Sequence, residues 1–365
     1  MSNMFCRKAV EKEMMKVVSD IVVGAGIWGC TFSRCLAEAG RKVRVLERRD
    51  KIGGNCACEI DPETGIEVHA YGSHIFHTKN ERVWKFVRRF SSFNDYRHCV
   101  LANHAGKIYH LPFGRTLYDE FFGNENYELP LSDEQNAAIF DAFIKHYTAK
   151  QWGMDADKVD PSVIKRLKVR DSYSTDYFDD PYQGIPLDGY NKMFERMLDH
   201  ENISVECNVD FNLDLAAKWT QRGAKIFYSG PLDRLFDYKF GALPWRSLRF
   251  EVEKLPMDDF QHNSVVNYTD REMPYTRIHE FRHYHPEWKV DEGVGKTVIM
   301  REYSKAWELG DEPYYPINNS ESAALLKRYQ NEAGKIPNLV VGGRLGSYKY
   351  YDMDQAVAAA LELEI

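Results

Sequence analysis

The sequence predicts an α/β chain, α+β overall, whose parallel core is interrupted by a helical bundle and an antiparallel sheet. Three observations predict it. An apolar run, a glycine-rich turn, a helical stretch and a second apolar run follow one another between Asp20 and Glu47, the order of a β-α-β unit. Between 114 and 170 strand-forming runs vanish and apolar residues recur at helical spacing. From Leu248 to Tyr303 four stretches alternate apolar and polar residues, the pattern of strands with one wet face.

The first unit can be justified residue by residue. Ile21, Val22 and Val23 suit a parallel strand buried on both faces. Gly24, Gly26 and Gly29 then read G-x-G-x-x-G: one glycine for the tight turn, one for close approach of backbone to a pyrophosphate, one for helix packing on strand. Thr31 to Gly40 continues as a helix with Phe32, Cys35, Leu36 and Ala39 on one face and Gly40 as its stop. Val43, Val45 and Leu46 form the second strand, ending at Glu47, 18 residues past Gly29 and where a ribose-binding carboxylate belongs. A lone glycine motif is weak and competes with a turn that binds nothing. In this setting it specifies a Rossmann-like dinucleotide-binding domain. The second glycine pair, Gly53-Gly54 before Asn55, moves the choice from NAD to FAD by analogy with flavoproteins whose chain doubles back beside the pyrophosphate.

Val68 to Ser73 and then His74 to Thr78 place glycine, aromatics and histidines together. That suggests a loop touching a ring system, with hydrogen-bonded packing histidines as the plainer alternative. Val83, Trp84, Val87 and Phe90 read as a helix from Asn80, and Val100-Leu-Ala with Lys107 to Pro112 as a hairpin around Asn103 to Gly106. In the helical stretch Phe143, Tyr147 and Trp152 fall near one face. They are either core or a platform on which a ring could stack. A basic cluster from Ile164 to Arg170 precedes an aspartate- and tyrosine-rich run to Gly184 with little apolar content, expected to be a mobile loop: a solvated face, or a lid for a phosphate-bearing ligand. A strand at Ile203 to Val205, another at Lys225 to Tyr228, a helix from Ser322, a final buried strand at Asn338 to Val341 and a closing helix from Asp354 complete the chain.

Composition removes several functions. The net charge of −7 lends no support to nucleic-acid or anionic-membrane binding. No apolar run approaches the ~20 residues that span a bilayer, and Met1 to Lys16 lacks a signal-peptide core, so the expected location is cytoplasmic. Seven cysteines without a disulfide spacing suit a reducing compartment. Cys56-x-Cys58 with His69, His74 and His77 could be forced into a zinc site, but no second paired-cysteine element exists, and no metal is expected.

The strings Tyr71-Gly-Ser-His-Ile-Phe-His-Thr78, Tyr147-Thr-Ala-Lys-Gln-Trp-Gly153, Tyr182-Gln-Gly-Ile-Pro186, Val265-Val-Asn-Tyr-Thr-Asp270, Pro274-Tyr-Thr-Arg277, Glu312-Pro-Tyr-Tyr-Pro316 and the run from Gly342 to Met353 resemble bacterial UDP-galactopyranose mutases, in order and at family-like spacing. The resemblance implies a flavoenzyme, an isomerase interconverting UDP-galactopyranose and UDP-galactofuranose for cell-envelope polysaccharide. N5 of reduced FAD would attack the anomeric carbon, with UDP as leaving group and no net redox change. It assigns Arg166 and Arg277 to opposite sides of the diphosphate, with Tyr177, Tyr315 and Tyr350 as hydroxyl donors. Phe143, Tyr147, Trp152 and Asn267 would hold the uridine, the rings by their faces. Asn94 and Asp352 would line the sugar and diphosphate pocket, His77 would lie against the flavin, and Arg344 with Met353 near its isoalloxazine. Ser73 stands where proline or alanine is common and His146 where glycine is common.

The implied domains are FAD-binding at 17–81, 186–236 and 317–365, helical at 82–95 and 113–170, antiparallel sheet at 96–112 and 237–316, and a mobile loop at 171–185. An external reductant such as NAD(P)H or a reductase, and a homodimer, belong to the same expectation. No activated Ser, Cys or Lys stands out as a protein nucleophile, in keeping with a nucleophilic cofactor. An FAD-dependent oxidase or dehydrogenase would share the N-terminal fingerprint but has no use for two diphosphate arginines. A non-catalytic flavin-bearing protein would bind the UDP-sugar without turning it over.

Overall fold

The computed structural model describes residues 19–124, 126–158, 169–288 and 295–364. The chain forms two units, one from Met1–Gly54, Phe194–Leu243 and Asn318–Ile365, the other from Asn55–Met193 and Pro244–Ile317.

The first unit is built on five parallel strands in the spatial order Leu339–Val341, Ile226–Tyr228, Asp20–Val23, Val43–Leu46, Ile203–Glu206. Numbered along the chain and read from the Ile203–Glu206 edge this is 3-2-1-4-5, the doubly wound order, reversing between Asp20–Val23 and Ile226–Tyr228. Ile21, Val22, Val45 and Ile226 are fully buried or nearly so, as strands covered on both faces require. The glycine turn leaves Asp20–Val23 at its carboxyl end, which puts it at the point of reversal, where such sheets bind ligands. Helix Ile27–Glu38 follows at once, four residues earlier than its apolar period suggested, because Ile27, Trp28 and Gly29 are themselves packed. Gly40, at φ 82°, takes the left-handed conformation that ends it. The closing helix Met353–Leu361 packs on this first helix and buries Ala356, Val357 and Ala360.

The second unit carries a seven-stranded sheet in the order Tyr315–Pro316, Trp245–Leu255, Thr297–Ala306, Arg277–Glu280, Val265–Tyr268, Val100–His104, Lys107–Leu111. The expected antiparallel sheet is there with one exception. Val265–Tyr268 runs parallel to Val100–His104, a pairing open to it because no hairpin joins two strands so distant in sequence. The hairpin Val100–His104 with Lys107–Leu111 turns through Ala105 and Gly106, both at positive φ.

Helices Arg115–Phe122, Asp133–Ile139 and His146–Trp152 flank a π-helical turn at Phe140–Lys145. They do not form a separate body. Leu117, Tyr118, Ile139, Phe143 and Ile144 share one core with Val100, Ala102, Tyr109, Leu111 and Val265 of the sheet. That shared core is why helices and sheet make one unit where the sequence suggested two. Residues 55–81 also fall in the second unit, where Cys58–Ile60 pairs with Glu67–His69 and Phe76–Thr78 with Tyr182–Gly184.

Candidate active site

In the first unit the turn after Asp20–Val23 is a cradle made of backbone. A Cβ on Gly29 would overlap the Gly24 carbonyl oxygen, and one on Gly54 would lie 2.8 Å from the Gly26 Cα. Gly53 N–H donates to the Ala25 carbonyl at 2.9 Å, and Gly26 bridges Gly53, so the second glycine pair does fold back onto the first motif. Helix Ile27–Glu38 opens at Gly26 with no side-chain cap and no acidic residue in its first turn. Its leading N–H groups and positive dipole end are therefore suited to an anion. These features fit the pyrophosphate of a dinucleotide. Glu47 is 6% exposed and closes the turn from behind, accepting the Ala25 N–H at 2.7 Å and the Arg49 N–H at 2.9 Å. Part of its carboxylate capacity is thus already spent on holding the cradle, a role the spacing alone did not reveal. Arg344 sits in the short helix Gly343–Gly346, and Tyr350, Asp352 and Met353 lead into Met353–Leu361, where Asp352 is the N-cap. All four belong to this unit.

In the second unit the sheet register sets a row of side chains. Asn267 lies opposite Arg277, Arg277 opposite Glu302, and Glu302 opposite Phe250, so the four share one face across four strands. Arg277 donates from Nη2 to the Tyr147 hydroxyl at 2.5 Å and places Nε 3.2 Å from Glu302 Oε1. Its charge also acts on Tyr315 and Tyr177. The Trp152 and Tyr315 rings are 6.4 Å apart. The structure thus brings Arg277, Tyr147, Trp152, Asn267, Tyr177 and Tyr315 together. Three buried polar atoms among them have no hydrogen-bond partner: the Asn267 Oδ1 acceptor, the Trp152 Nε1 donor and Arg277 Nε, which meets Glu302 as an ion pair only. Stranded groups of that kind cost about 1–3 kcal/mol each unless a ligand takes them.

Glu302 was not foreseen, since nothing in its own strand marks it; only the register does. Burial works to raise its pKa, but Arg277 and then His279 outweigh this and hold it at about 2. Burial likewise opposes the charge on Arg277, and Glu302 drives its pKa well above the ordinary value. A chain of hydrogen bonds runs behind the pair. Tyr284 donates its hydroxyl to Ser73 Oγ at 2.5 Å, Ser73 Oγ lies 2.6 Å from His279 Nδ1, and His279 Nε2 lies 3.2 Å from Glu302 Oε2. With Ser73 donating to Nδ1, the His279 proton sits on Nε2 and points at Glu302. Serine at position 73 is thereby absorbed into the support of Arg277. His98 nearby is pushed down to about 3, by burial above all and then by Arg277, so it is neutral at working pH.

Other residues depart from their expected roles. The Phe143 ring is 4% exposed and packs against His104, Tyr109 and Phe121, which makes it core and not a free stacking face. Phe143 turns into the core shared with the sheet, while Tyr147, four residues on, meets Arg277. His146 lines an open cleft with His104, Phe121, Ala142 and Asp270 and does not crowd the contact of Tyr147 with Arg277. Asn94 is spent on the fold: its amide donates to the Tyr284 carbonyl at 2.8 Å and to Glu287, and its oxygen accepts the Ile185 N–H at 2.8 Å. It splices three segments and has little left for a sugar.

His77 is oriented by a residue the sequence did not flag. Asp180 Oδ2 lies 2.5 Å from its Nδ1, while Phe178 stacks on its ring at 3.6 Å. The polar run expected to be a mobile loop makes hydrogen bonds of its own. Arg170 donates to the carbonyls of Asp176 and Tyr177, and the Tyr177 N–H donates to the His98 carbonyl. Asn55 begins the second unit, in the turn Gly54–Cys56. Arg166 lies outside the described residues.

Cys58, Glu67 and His69 offer ligand atoms within 4.8 Å of one another, all buried. His69 Nδ1 accepts the His74 N–H at 2.9 Å, which leaves the ring proton on Nε2, the atom a metal would need. Glu67 is taken by His285 Nε2 at 3.0 Å and by the Tyr190 N–H at 3.2 Å. His69 and His74 are thus engaged in hydrogen bonds to their own segment.

With this geometry in place, the comparisons with known proteins become decisive. Residues 142–350 match the family model described as UDP-galactopyranose mutase, and residues 22–90 match that of an NAD(P)-binding Rossmann-like domain. The chain is 38% identical to a probable UDP-galactopyranose mutase of Klebsiella pneumoniae, over 94% of its own length and 92% of the relative's. The chain belongs to the UDP-galactopyranose mutase family. It is therefore an enzyme of the isomerase class with a flavin-type dinucleotide-binding domain. It is also 35% identical to a dTDP-fucopyranose mutase of Escherichia coli, over 94% of its own length and 96% of that relative's. A solved structure of reduced UDP-galactopyranose mutase shares the fold with a TM-score of 0.66 at 14% identity, covering 94% of this chain and 92% of that one. No helix among the described residues is long and apolar enough to cross a membrane.

Proposed function

We propose that this chain interconverts UDP-galactopyranose and UDP-galactofuranose, using non-covalently held FAD that is active when reduced. The observation that carries the reading is the Asn267–Arg277–Glu302 row with Tyr147 and Trp152 against it. A guanidinium fixed by a buried carboxylate suits a diphosphate leaving group. Beside it, the stranded Asn267 acceptor and Trp152 donor match the N–H and carbonyl edge of a uracil ring.

In this reading Gly24, Gly26, Gly29, Glu47, Gly53, Gly54, Asn55, His77, Arg344 and Met353 hold the cofactor. When bound, the reduced flavin supplies the electron pair that takes the place of UDP at the anomeric carbon. Arg277 neutralises charge as the anomeric C–O bond breaks. Its fork is prepaid, because Glu302 and the Tyr147 hydroxyl fix it before substrate arrives. Tyr177, Tyr315 and Tyr350 add donors without adding charge, and Arg166 is assigned to the far side of the diphosphate. Trp152 and Asn267 keep UDP in place while the sugar recloses its ring. Phe143 supports from the core and Asn94 from the backbone. An external reductant such as NAD(P)H or a reductase, and a homodimer, complete the proposal.

The relative named dTDP-fucopyranose mutase favours a second reading, in which the substrate is a dTDP-linked 6-deoxysugar. The test is to incubate dithionite-reduced protein with UDP-galactofuranose and with dTDP-fucofuranose and follow the pyranoses by chromatography. Conversion of the first, with none by oxidised protein, is expected. Preferential conversion of the dTDP-sugar would replace the substrate. Failure with both, or turnover that consumes electrons stoichiometrically, would sink the isomerase reading in favour of a flavin oxidoreductase.

A further inference from the structure

Lys150 lies in helix His146–Trp152, between Tyr147 and Trp152. Its ammonium donates to four backbone carbonyls: Tyr268 at 2.7 Å, Asp270 at 2.9 Å, Met273 at 3.1 Å and Tyr275 at 3.1 Å. Those carbonyls belong to the turn that joins strand Val265–Tyr268 to strand Arg277–Glu280. Asn267 and Arg277 are paired across the two strands immediately beside that turn. An ammonium has three hydrogens and here faces four acceptors, so the turn wraps the cation as an ionophore would. From this geometry we infer that Lys150 is a positioning residue: its ammonium clamps the turn between Asn267 and Arg277 to the helix bearing Tyr147 and Trp152, setting the spacing of the UDP site.

The next residues show how the helix end is secured on its other side. The Gln151 carbonyl accepts from Arg246 Nε at 3.0 Å and from Ser304 Oγ at 2.5 Å, and Gly153 closes the helix in the left-handed conformation. Arg246 and Ser304 stand on the central strands, whereas Lys150 alone among these three reaches the turn. The two halves of the proposed site come from segments more than a hundred residues apart, and only such cross-ties bring them to a common distance. Lys150 needs no contact with substrate for this. Its part is to make the interval between the Trp152 ring and the guanidinium match the length of a nucleoside diphosphate.

The inference rests on the UDP-binding reading above, and the experiment separates the two. UDP affinity of the flavin-loaded enzyme is measured by calorimetry for wild type, Lys150→Ala and Lys150→Met, with flavin content and thermal midpoint alongside. The expected result is a loss of about 10- to 100-fold in affinity, the scale of a misplacement near 1 Å, with flavin content unchanged. Methylammonium added to Lys150→Ala should restore most of the affinity by filling the vacated cage. Tetramethylammonium at equal ionic strength, having no N–H to donate, should not. Wild-type affinity in Lys150→Ala overturns the inference, as does a loss that methylammonium cannot repair. Failure of both variants to fold overturns it too, since Lys150 would then hold the fold and not the spacing. If wild type itself binds no UDP, the functional reading fails instead.

Discussion

In the proposed function the two units each present a place for a diphosphate, and they build it by opposite means. The turn after Asp20–Val23 is assembled from backbone N–H groups and a bare helix N-terminus, all within Asp20 to Gly54. The Asn267–Arg277–Glu302 row is assembled from side chains, and Tyr147, which touches it, comes from 130 residues away. A backbone cradle tolerates almost any charge nearby but no Cβ at its closest points. A side-chain site tolerates backbone change but depends on each charge having its counterpart. The first is specified by local spacing and the second by strand register.

The largest effects should fall on the cradle and separate folding from binding. A Cβ on Gly29 meets the Gly24 carbonyl oxygen, so Gly29→Ala should cost more than about 3 kcal/mol, the upper range for overpacking, and little folded protein should be recovered. A Cβ on Gly26 has 3.7 Å to its nearest neighbour, the Gly54 Cα, so the fold has room for it. Gly26→Val should therefore fold but purify colourless, because it occupies the space a pyrophosphate needs. Circular dichroism and the flavin absorbance band read the two outcomes. A yellow Gly26→Val protein would mean that the cofactor approaches elsewhere.

The side-chain site should respond in activity first. Arg277→Ala removes a charge-assisted donor aimed at developing negative charge, worth on the order of 2–4 kcal/mol, or ~30- to 1,000-fold in turnover of the reduced enzyme. It also leaves Glu302 buried without its cation, so some loss of stability should accompany it. Arg170→Ala should matter less, because Arg170 is occupied in fastening the Asp176 and Tyr177 carbonyls. Equal losses in the two variants would show that the basic groups act on a diffuse field and not through the fork of Arg277.

The contrast between the units also explains what could be read in the chain beforehand. Strands Asp20–Val23, Val43–Leu46 and Ile226–Tyr228 and the helix between the first two follow from apolar runs and glycine spacing, which are local properties, whereas the return of Gly53 onto the motif was read by analogy with flavoproteins. Trp152 was legible as core or a stacking platform, but Arg277 and Asn267 only through resemblance, because no short-range rule distinguishes a site arginine from a strand arginine. Glu302, Asp180, His279 and Lys150 were not legible at all. Each acts through a partner that register or a cross-tie brings near, His77 in the case of Asp180. Phe143 misled for a different reason. Its ring is taken up by His104, Tyr109 and Phe121, contacts with distant segments that its own spacing does not show.

The smallest predicted effect tests whether the support behind Arg277 reaches as far as Ser73. Burial lowers the His279 pKa first of all, Glu302 works to raise it, and Arg277 and His69 lower it further. Ser73, by donating to Nδ1, also favours the neutral ring, since a hydrogen bond to an unprotonated nitrogen is lost when that nitrogen takes a proton. Ser73→Ala removes the donor and leaves the Tyr284 hydroxyl with Ser264 as its remaining partner. The His279 pKa should then rise, so that the ring takes up a proton as pH falls. A charged His279 draws Glu302 towards itself and slackens its hold on Arg277. The loss should be about 1 kcal/mol, the usual net worth of one hydrogen bond, and should appear as a KM roughly fivefold higher with kcat little changed. The KM increase should grow between pH 8 and pH 5, where wild type stays flatter. A Ser73→Ala enzyme whose KM follows the wild-type pH profile would show that the row is held by Glu302 and Tyr147 alone, with the hydrogen bonds behind it serving only the fold.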